Sequence, residues 1–370
     1  MKATAITPED FPWYDYGRYS YSLGLALGDH AYLSGHTSSV FDPELGRMAV
    51  RGGMAEQAGV AYAKVEAILE ADGKSLGDAV RVVEYITDRG IDSYAEAERV
   101  RLEVFGDHSP VVNTVPVRAL LRRDALIEIE VIAARGPDNL IFLPTLHPAD
   151  PAGGILAQTN AIFDDAARQL DEYGLGLDHV VKTVEYITPA ALSDYKGTAA
   201  IRRDRLRPVY PVATGIIMPR LMQSGAMIQV DLVASCDAPQ SVNPGWPRFE
   251  KLTYSPGVRA GNYLFISGTG AIDPETGKIR HEGDVVAQAE YIYRNILRVV
   301  EAAGGGPENL VKTIEYITPA ALPGYRGVAD VRRNLLARPY PASTGPVCEF
   351  LLRPEMLIEI DCVAILEASP

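Results

Sequence analysis

The sequence predicts an α+β protein built from three tandem units, each a mixed β-sheet with two helices on one face. Three observations predict it. Residues 181–197 (VKTVEYITPAALSDYKG) return 130 positions later at 311–327 as VKTIEYITPAALPGYRG, and a looser copy, RVVEYITDRGIDSY, lies at 81–94. The register persists along the chain, where Gln57, Gln158 and Gln288 correspond, as do Tyr94, Tyr195 and Tyr325, and Arg101, Arg202 and Arg332. Finally, 370 residues divided by three leaves about 123 per unit, an ordinary domain size.

The units are expected at 1–136, 137–240 and 241–370. Trp13, Tyr21, Gly28, Ser34 and Gly35 of the first meet Trp246, Tyr254, Gly261, Ser267 and Gly268 of the last. The middle unit is shortened: it lacks the Trp/Tyr stretch and has Pro144-Thr145 where the others have Ser-Gly. In the last unit NYLFISG alternates as a strand, and DPETG is a turn. Val285 to Ala303 repeats apolar residues at helical spacing and stops at Gly304, Gly305 and Gly306. KTIEYIT is a second strand, Ala329 to Leu336 a second helix and MLIEIDCVAIL a closing strand. A sheet with helices on one face must bury the other, and three units in one chain can bury those faces against one another.

Composition narrows the function. A formal charge of −13 repels a nucleic-acid backbone, and basic runs are missing, so no nucleic-acid partner is expected. The N-terminus lacks an apolar stretch of signal-peptide length and no run of 18 apolar residues occurs, so a cytoplasmic protein without membrane contact is expected. Three cysteines without a CxxC pattern fit a reducing compartment. The six histidines show no ligand spacing, and GxGxxG, GxxxxGK[ST] and GxSxG are absent, so neither metal nor organic cofactor is expected.

The last unit resembles the RidA/YjgF family of imine and enamine deaminases through TYSPGVRAGNYLFISG, DPETG, DVVAQAEYIYRNI, VKTIEYIT, RPYPASTG and LIEIDCVAI. The first unit resembles it more loosely through YSLGLALGDHAYLSGH and ALIEIEVIA. The resemblance implies the chorismate-mutase-like fold and, because family members are homotrimers with ligand clefts between subunits, an intramolecular pseudo-trimer, with further dimerisation left open. It also implies a cleft Tyr at Tyr21 and Tyr254, a serine at Ser34 and Ser267, and a water-directing glutamate at Glu128 and Glu359, with Gln229 at that position in the middle unit. The family's carboxylate-binding Arg is missing, because Val112, Ala213 and Ser343 stand in its place, and its Cys two residues on is Thr114, Gly215 or Gly345.

A carboxylate in a partly dry cleft takes a proton from water and returns it to a leaving nitrogen when its pKa is raised toward neutrality. Glu128 and Glu359 are therefore the first catalytic candidates. Glu84, Glu185 and Glu315 sit in alternating strands and are read either as cleft acid/base groups, pointing to the inter-unit surface if the Ile314/Tyr316 face packs the helices, or as partners of Arg101, Arg202 and Arg332. Ser343, Thr344, Gly345 and Thr214 occupy the expected ligand strand, with glycine permitting close approach. His36 is the histidine best placed for proton transfer, and Arg118 and Arg18 are candidates to replace the missing anion clamp.

The reading is a cofactor-independent hydrolase of deaminase type. It would act on a small enamine, imine or ring-derived metabolite by glutamate-directed water addition, with at most two active clefts because Gln229 cannot carry a proton. Two alternatives stand beside it: a chorismatase-like hydrolase or lyase, and a ligand-binding regulatory pseudoenzyme.

Overall fold

The structure is a computed structural model describing residues 2–136, 139–206 and 209–367. The unit boundary expected at 136/137 falls beside residues 137 and 138, which lie outside the described residues.

Three helix pairs cover three sheets. Helices α1 (Met54–Ala71) and α2 (Tyr94–Phe105) lie on the first, α3 (Ile155–Asp171) and α4 (Thr198–Arg205) on the second, and α5 (Val285–Ala302) and α6 (Val328–Leu335) on the third. The long helices form because each carries an apolar stripe. In α5, Ala289, Ile292, Tyr293, Ile296 and Val300 are buried together, and Asp284 caps the start by accepting from the amides of Val286 and Ala287 at 3.0 Å. The predicted helix over 285–303 is thus observed to within a residue, and the second, expected from Ala329, begins at Val328.

The first sheet has strand order Thr4–Ala5, Gly24–Leu27, His30–Leu33, Ile127–Ala134, Ala79–Thr87, Val111–Val117. Its neighbours are antiparallel except the last pair, which is parallel and linked through α2, as a crossover connection requires. The second sheet repeats the plan around Ile228–Ser235, Val180–Ile187 and Val212–Ile217, and the third around Tyr263–Gly270, Ile358–Ile365 and Leu310–Ile317. The sheets also exchange edges: Ala119–Leu120 pairs with Pro346–Val347 of the third sheet, and Phe350–Leu351 pairs with Ile216 and Ile217 of the second.

The helix-free faces share one core. Val83 and Tyr85, Val184 and Tyr186, and Ile314 and Tyr316 meet there, with the Tyr186 and Tyr316 hydroxyls 3.1 Å apart. This corrects one expectation: the Ile314/Tyr316 face looks toward the other sheets, so the period-two alternation turns Glu315 toward the helices.

Candidate functional site

Alternation along the closing strands decides which side chains reach the seams between sheets. Ile127, Ile129 and Val131 pack under α1, so Glu128 and Glu130 face the opposite side. Ile358 and Ile360 likewise pack under α5 and leave Glu359 and Asp361 on the seam, while Ile228 and Val230 leave Gln229 and Asp231 there.

At the seam of the first and third sheets, the Ser34 hydroxyl donates to the Ser22 carbonyl at 2.6 Å and accepts from the Ser343 amide at 2.8 Å. The Gly35 amide donates to the Ser343 carbonyl at 3.2 Å. The seam of the second and third sheets repeats this, with Ser267 donating to the Ser255 carbonyl at 2.6 Å and accepting from the Ala213 amide at 3.0 Å. These serines lace strand to strand. The glycine that follows is required by a close approach: a Cβ on Gly35 would lie 2.2 Å from Glu128 Oε1, and one on Gly268 would lie 2.3 Å from Glu359 Oε1.

Beneath each seam runs a buried ion pair absent from the sequence expectation. Lys312 Nζ lies 2.9 Å from Glu130 and donates to Thr344 Oγ1 at 2.9 Å, and Thr344 in turn donates to Glu130 at 2.6 Å. Lys182 pairs with Asp361, to which Thr214 also donates at 2.8 Å. Arg81 stands 3.6 Å from Asp231, bridged by Asn113. A signal was available: Arg81, Lys182 and Lys312 recur in otherwise apolar strands, three residues before the recurrent glutamates, with an acid two residues past Glu128, Gln229 and Glu359.

Against this paired background two carboxylates stand out. Glu128 and Glu359 are 7% and 6% exposed, yet no described residue gives either side chain a hydrogen bond or an ion pair. Burial, reinforced by Glu130, pushes the Glu128 carboxyl up to about 7, against the opposing pull of Lys312 and Arg122. Burial, reinforced by Asp361, pushes Glu359 up to about 8. Beside Gly268 lies a cavity of about 50 Å³ lined by Arg248, Phe249, Tyr254, Ser267, Gly268 and Thr269. That is space for one or two waters, given ~30 Å³ per molecule in the liquid.

Tyrosines flank both glutamates. Tyr21 stacks on Tyr19 with centroids 5.1 Å apart, and Tyr254 meets Phe249 edge-on at 5.6 Å. Burial raises the hydroxyl pKa of both, so they stay neutral donors at ordinary pH.

Other expected site residues take different roles. Glu84 accepts from Tyr62 and Tyr94 at 2.6 Å and from Arg101 at 2.5 Å. Glu185 accepts from Tyr195 at 2.7 Å and twice from Arg202, at 3.0 and 2.8 Å. Glu315 is held by Tyr293, by Tyr325 at 2.5 Å and by Arg332 at 2.6 Å. Carboxylates whose acceptor sites are filled in this way are structural anchors, which corrects the catalytic reading of Glu84 and Glu315. Burial, reinforced by the nearby Lys64 charge, drives the pKa of His36 down to about 3, so its ring stays neutral and takes up no second proton near pH 7. Gly345 faces Leu121 and the Tyr325 hydroxyl, and Arg118 is half exposed and 3.5 Å from Glu349.

The seam of the first and second sheets is closed. Gln229 donates to the Thr114 carbonyl at 2.9 Å, and Thr145, standing where the other seams have glycine, fills the space and donates to Asp231 at 2.8 Å.

A layered α+β chain of repeated units, with a buried carboxylate at two of the seams between its sheets, defines a class, and comparison narrows it. The profile of the family described as Endoribonuclease L-PSP matches residues 16–135 and 250–366, and the chain belongs to that family, the RidA/YjgF family, with its units in tandem. Among its relatives, a RutC family protein of Synechocystis sp. is 32% identical over 135 residues, covering 36% of this chain and 95% of that protein. The chloroplastic Reactive Intermediate Deaminase A of Arabidopsis thaliana is 31% identical over 147 residues, covering 40% and 71%. A chorismatase crystal structure superposes over 78% of this chain and 93% of its own with a TM-score of 0.54 at 17% identity, a likeness of fold. Among the described residues no helix is long and apolar enough to cross a membrane.

Proposed function

We propose that the chain is a cofactor-independent hydrolase of deaminase type, acting on a small enamine, imine or ring-derived metabolite at two seams. One is served by Glu359 and the other by Glu128. The observation that carries this reading is the pair of buried carboxylates without hydrogen-bond partners among the described residues, each with a pKa near neutrality and each packed against a glycine. A group titrating near the working pH is efficient in both directions of proton transfer. In imine hydrolysis, water oxygen bonds to the imine carbon while its proton passes to the glutamate and from it to the imine nitrogen, giving a neutral carbinolamine. The glutamate then takes the carbinolamine hydroxyl proton and delivers it to nitrogen as the C–N bond breaks, releasing ammonia and a carbonyl compound and leaving the carboxylate as it began. Tyr254 and Tyr21 are neutral hydroxyl donors able to orient the substrate nitrogen or oxygen.

The same groups serve a chorismatase-like hydrolase or lyase, and the arginines near Tyr254 favour keeping that reading second. The assembly proposed is a pseudo-trimer of units 1–136, 137–240 and 241–370 in a cytoplasmic protein whose partner is a small-molecule substrate. The seam closed by Gln229 is inactive in this scheme.

The test compares Glu359→Gln, Glu128→Gln and the double variant in releasing ammonia from imines generated in place by an amino-acid oxidase. Each single variant is expected to lose one site's contribution, and the double variant to fall at least about 100-fold, the usual weight of general acid–base catalysis. A folded double variant with undiminished rate overturns the proposal.

A further inference from the structure

A ligand-sized pocket lies outside both glutamate seams, between α1 and a hairpin that belongs to none of the three sheets. The hairpin strands, Val40–Asp42 and Arg47–Ala49, pair antiparallel with each other. The space between them and the start of α1 is about 610 Å³, within the usual range of small-molecule sites. Its apolar wall is Val40, Phe41, Pro43, Ala49 and Val60. Val40 and Phe41 are 38% and 42% exposed, although a hairpin lying on the core would bury them. The third unit shows that other arrangement: its DPETG turn is flanked by Ile272 and Ile279, which bridge to each other and pack against the shared core. The sequence carries the difference, because six residues separate Gly35 from Asp42 and four separate Gly268 from Asp273.

The charges in the pocket are unbalanced. Asp42 is occupied by Arg51 and by the amides of Glu44 and Leu45 at 3.0 and 3.1 Å. Glu44 and Glu56 have no cationic partner among the described residues, so three carboxylates against one guanidinium leave two uncancelled negative charges in the lining. The α1 N-terminus does not turn the site toward anions, because Glu56 itself accepts from the Gly53 amide at 3.0 Å. A second observation, independent of charge, marks a ligand position. Ser38 lines the same pocket and is 5% exposed, yet its hydroxyl has no hydrogen-bond partner. Such a hydroxyl is a cost to the fold that a bound donor removes. The carbonyls on either side of it are already engaged, since Thr37 and Ser39 both accept from Lys64 at 2.6 Å. Lys64 turns to the rings of Trp13 and Tyr14, 5.9 and 5.2 Å away, neither of which lines the pocket.

We infer that this pocket binds a small amphipathic organic cation, an ammonium or amidinium group on an apolar body. The charged end faces Glu44 and Glu56, the Ser38 hydroxyl accepts one of its N–H groups, and the body lies against Phe41 and Val60. Carboxylate and hydroxyl oxygens both accept hydrogen bonds, and a cationic donor is the partner they share. The pocket has no lining residue in common with either glutamate seam, so the inference stands or falls independently of the proposed hydrolysis.

The test uses 4-fluorobenzamidine, its neutral mimic 4-fluorobenzamide and fluorine NMR on the full chain. Expected is saturable binding of the amidine with a Kd below about 1 mM, at least about tenfold tighter than the amide. Glu44→Gln and Glu56→Gln together keep an acceptor for the Gly53 amide and should bring the amidine down to the level of the amide. Ser38→Ala should weaken the amidine about threefold or more by removing one acceptor. Absence of saturable amidine binding, equal binding of the two probes, or amidine binding unchanged in the folded double variant or in Ser38→Ala overturns the inference.

Discussion

Replacing Glu359 by glutamine converts an electrostatic statement into a stability curve. In the folded chain burial and Asp361 raise the carboxyl from 4.5 to about 8. Between those values the folded chain keeps a proton that the unfolded chain releases, so stability is full below pH 4.5 and is lost as pH rises through the folded pKa. The slope is about 1.4 kcal/mol per pH unit for one proton, which makes the loss from pH 5.5 to 7.5 about 3 kcal/mol. Glutamine keeps the shape and carries no proton to lose. The unfolding free energy of Glu359→Gln minus that of the native chain should therefore climb by about 3 kcal/mol across that interval and level off above pH 9. For Glu128→Gln, whose native carboxyl is raised only to about 7, the climb should stop about one pH unit earlier. The assay is urea unfolding at half-unit steps of pH, read by fluorescence and circular dichroism, with midpoints compared only where the probes coincide. A difference curve flat within about 0.5 kcal/mol would mean that water already solvates Glu359, and the buried-acid argument with its catalytic consequence would fall.

Three further outcomes are expected. Gly268→Ala puts a Cβ 2.3 Å from Glu359 Oε1 and 2.8 Å from Thr214 Cγ2, so in a Glu128→Gln background it should lower the remaining hydrolysis rate at least tenfold while circular dichroism is unchanged; a normal rate would show that the glutamate position is not limiting. Lys182→Met strands Asp361 as a buried charge and should cost about 3–5 kcal/mol by urea unfolding, most of it recovered in the Lys182→Met, Asp361→Leu pair. Gln229→Glu sets a second acceptor against the Thr114 carbonyl and should destabilise by about 1–3 kcal/mol without adding a third active site, which ammonia-release kinetics in the Glu128→Gln, Glu359→Gln background would detect.

The repeat made the architecture legible. Once 181–197 and 311–327 are superposed, the order of elements along the chain and the shortened middle unit follow from local rules, and the structure moves the two helices of the last unit by a residue at most. The site was legible only in part. Glu128 and Glu359 could be picked from the resemblance, but the orientation of Glu315 could not, because Ile314 and Tyr316 are as suited to packing helices as to packing another sheet. Alternation says which residues share a face and is silent on what that face meets. His36 shows the same limit, since beside Ser34-Gly35 it reads as a proton carrier, and only its burial against Lys64 removes that role. Lys312 and Glu130 pair across 182 positions, a distance no local pattern spans.

Those cross-sheet pairs also bear on why the three seams differ. Lys312 reaches Glu130, Arg81 reaches Asp231 and Lys182 reaches Asp361, so the third sheet grips the first, the first grips the second and the second grips the third. Such head-to-tail contacts close a ring, and in a ring of identical subunits every substitution appears at all three seams. With the units joined in one chain that constraint is lifted, and each seam can diverge on its own. The first–second seam has diverged: Gln229 and Thr145 supply hydrogen bonds where the other seams keep an unpartnered acid and a glycine. A buried acid without partners is a standing cost to the fold, which a purely structural seam has no reason to bear. That two seams carry such an acid, both paired in the sequence with an arginine six residues upstream while the third has lost both, is the pattern expected where the acid is kept for chemistry.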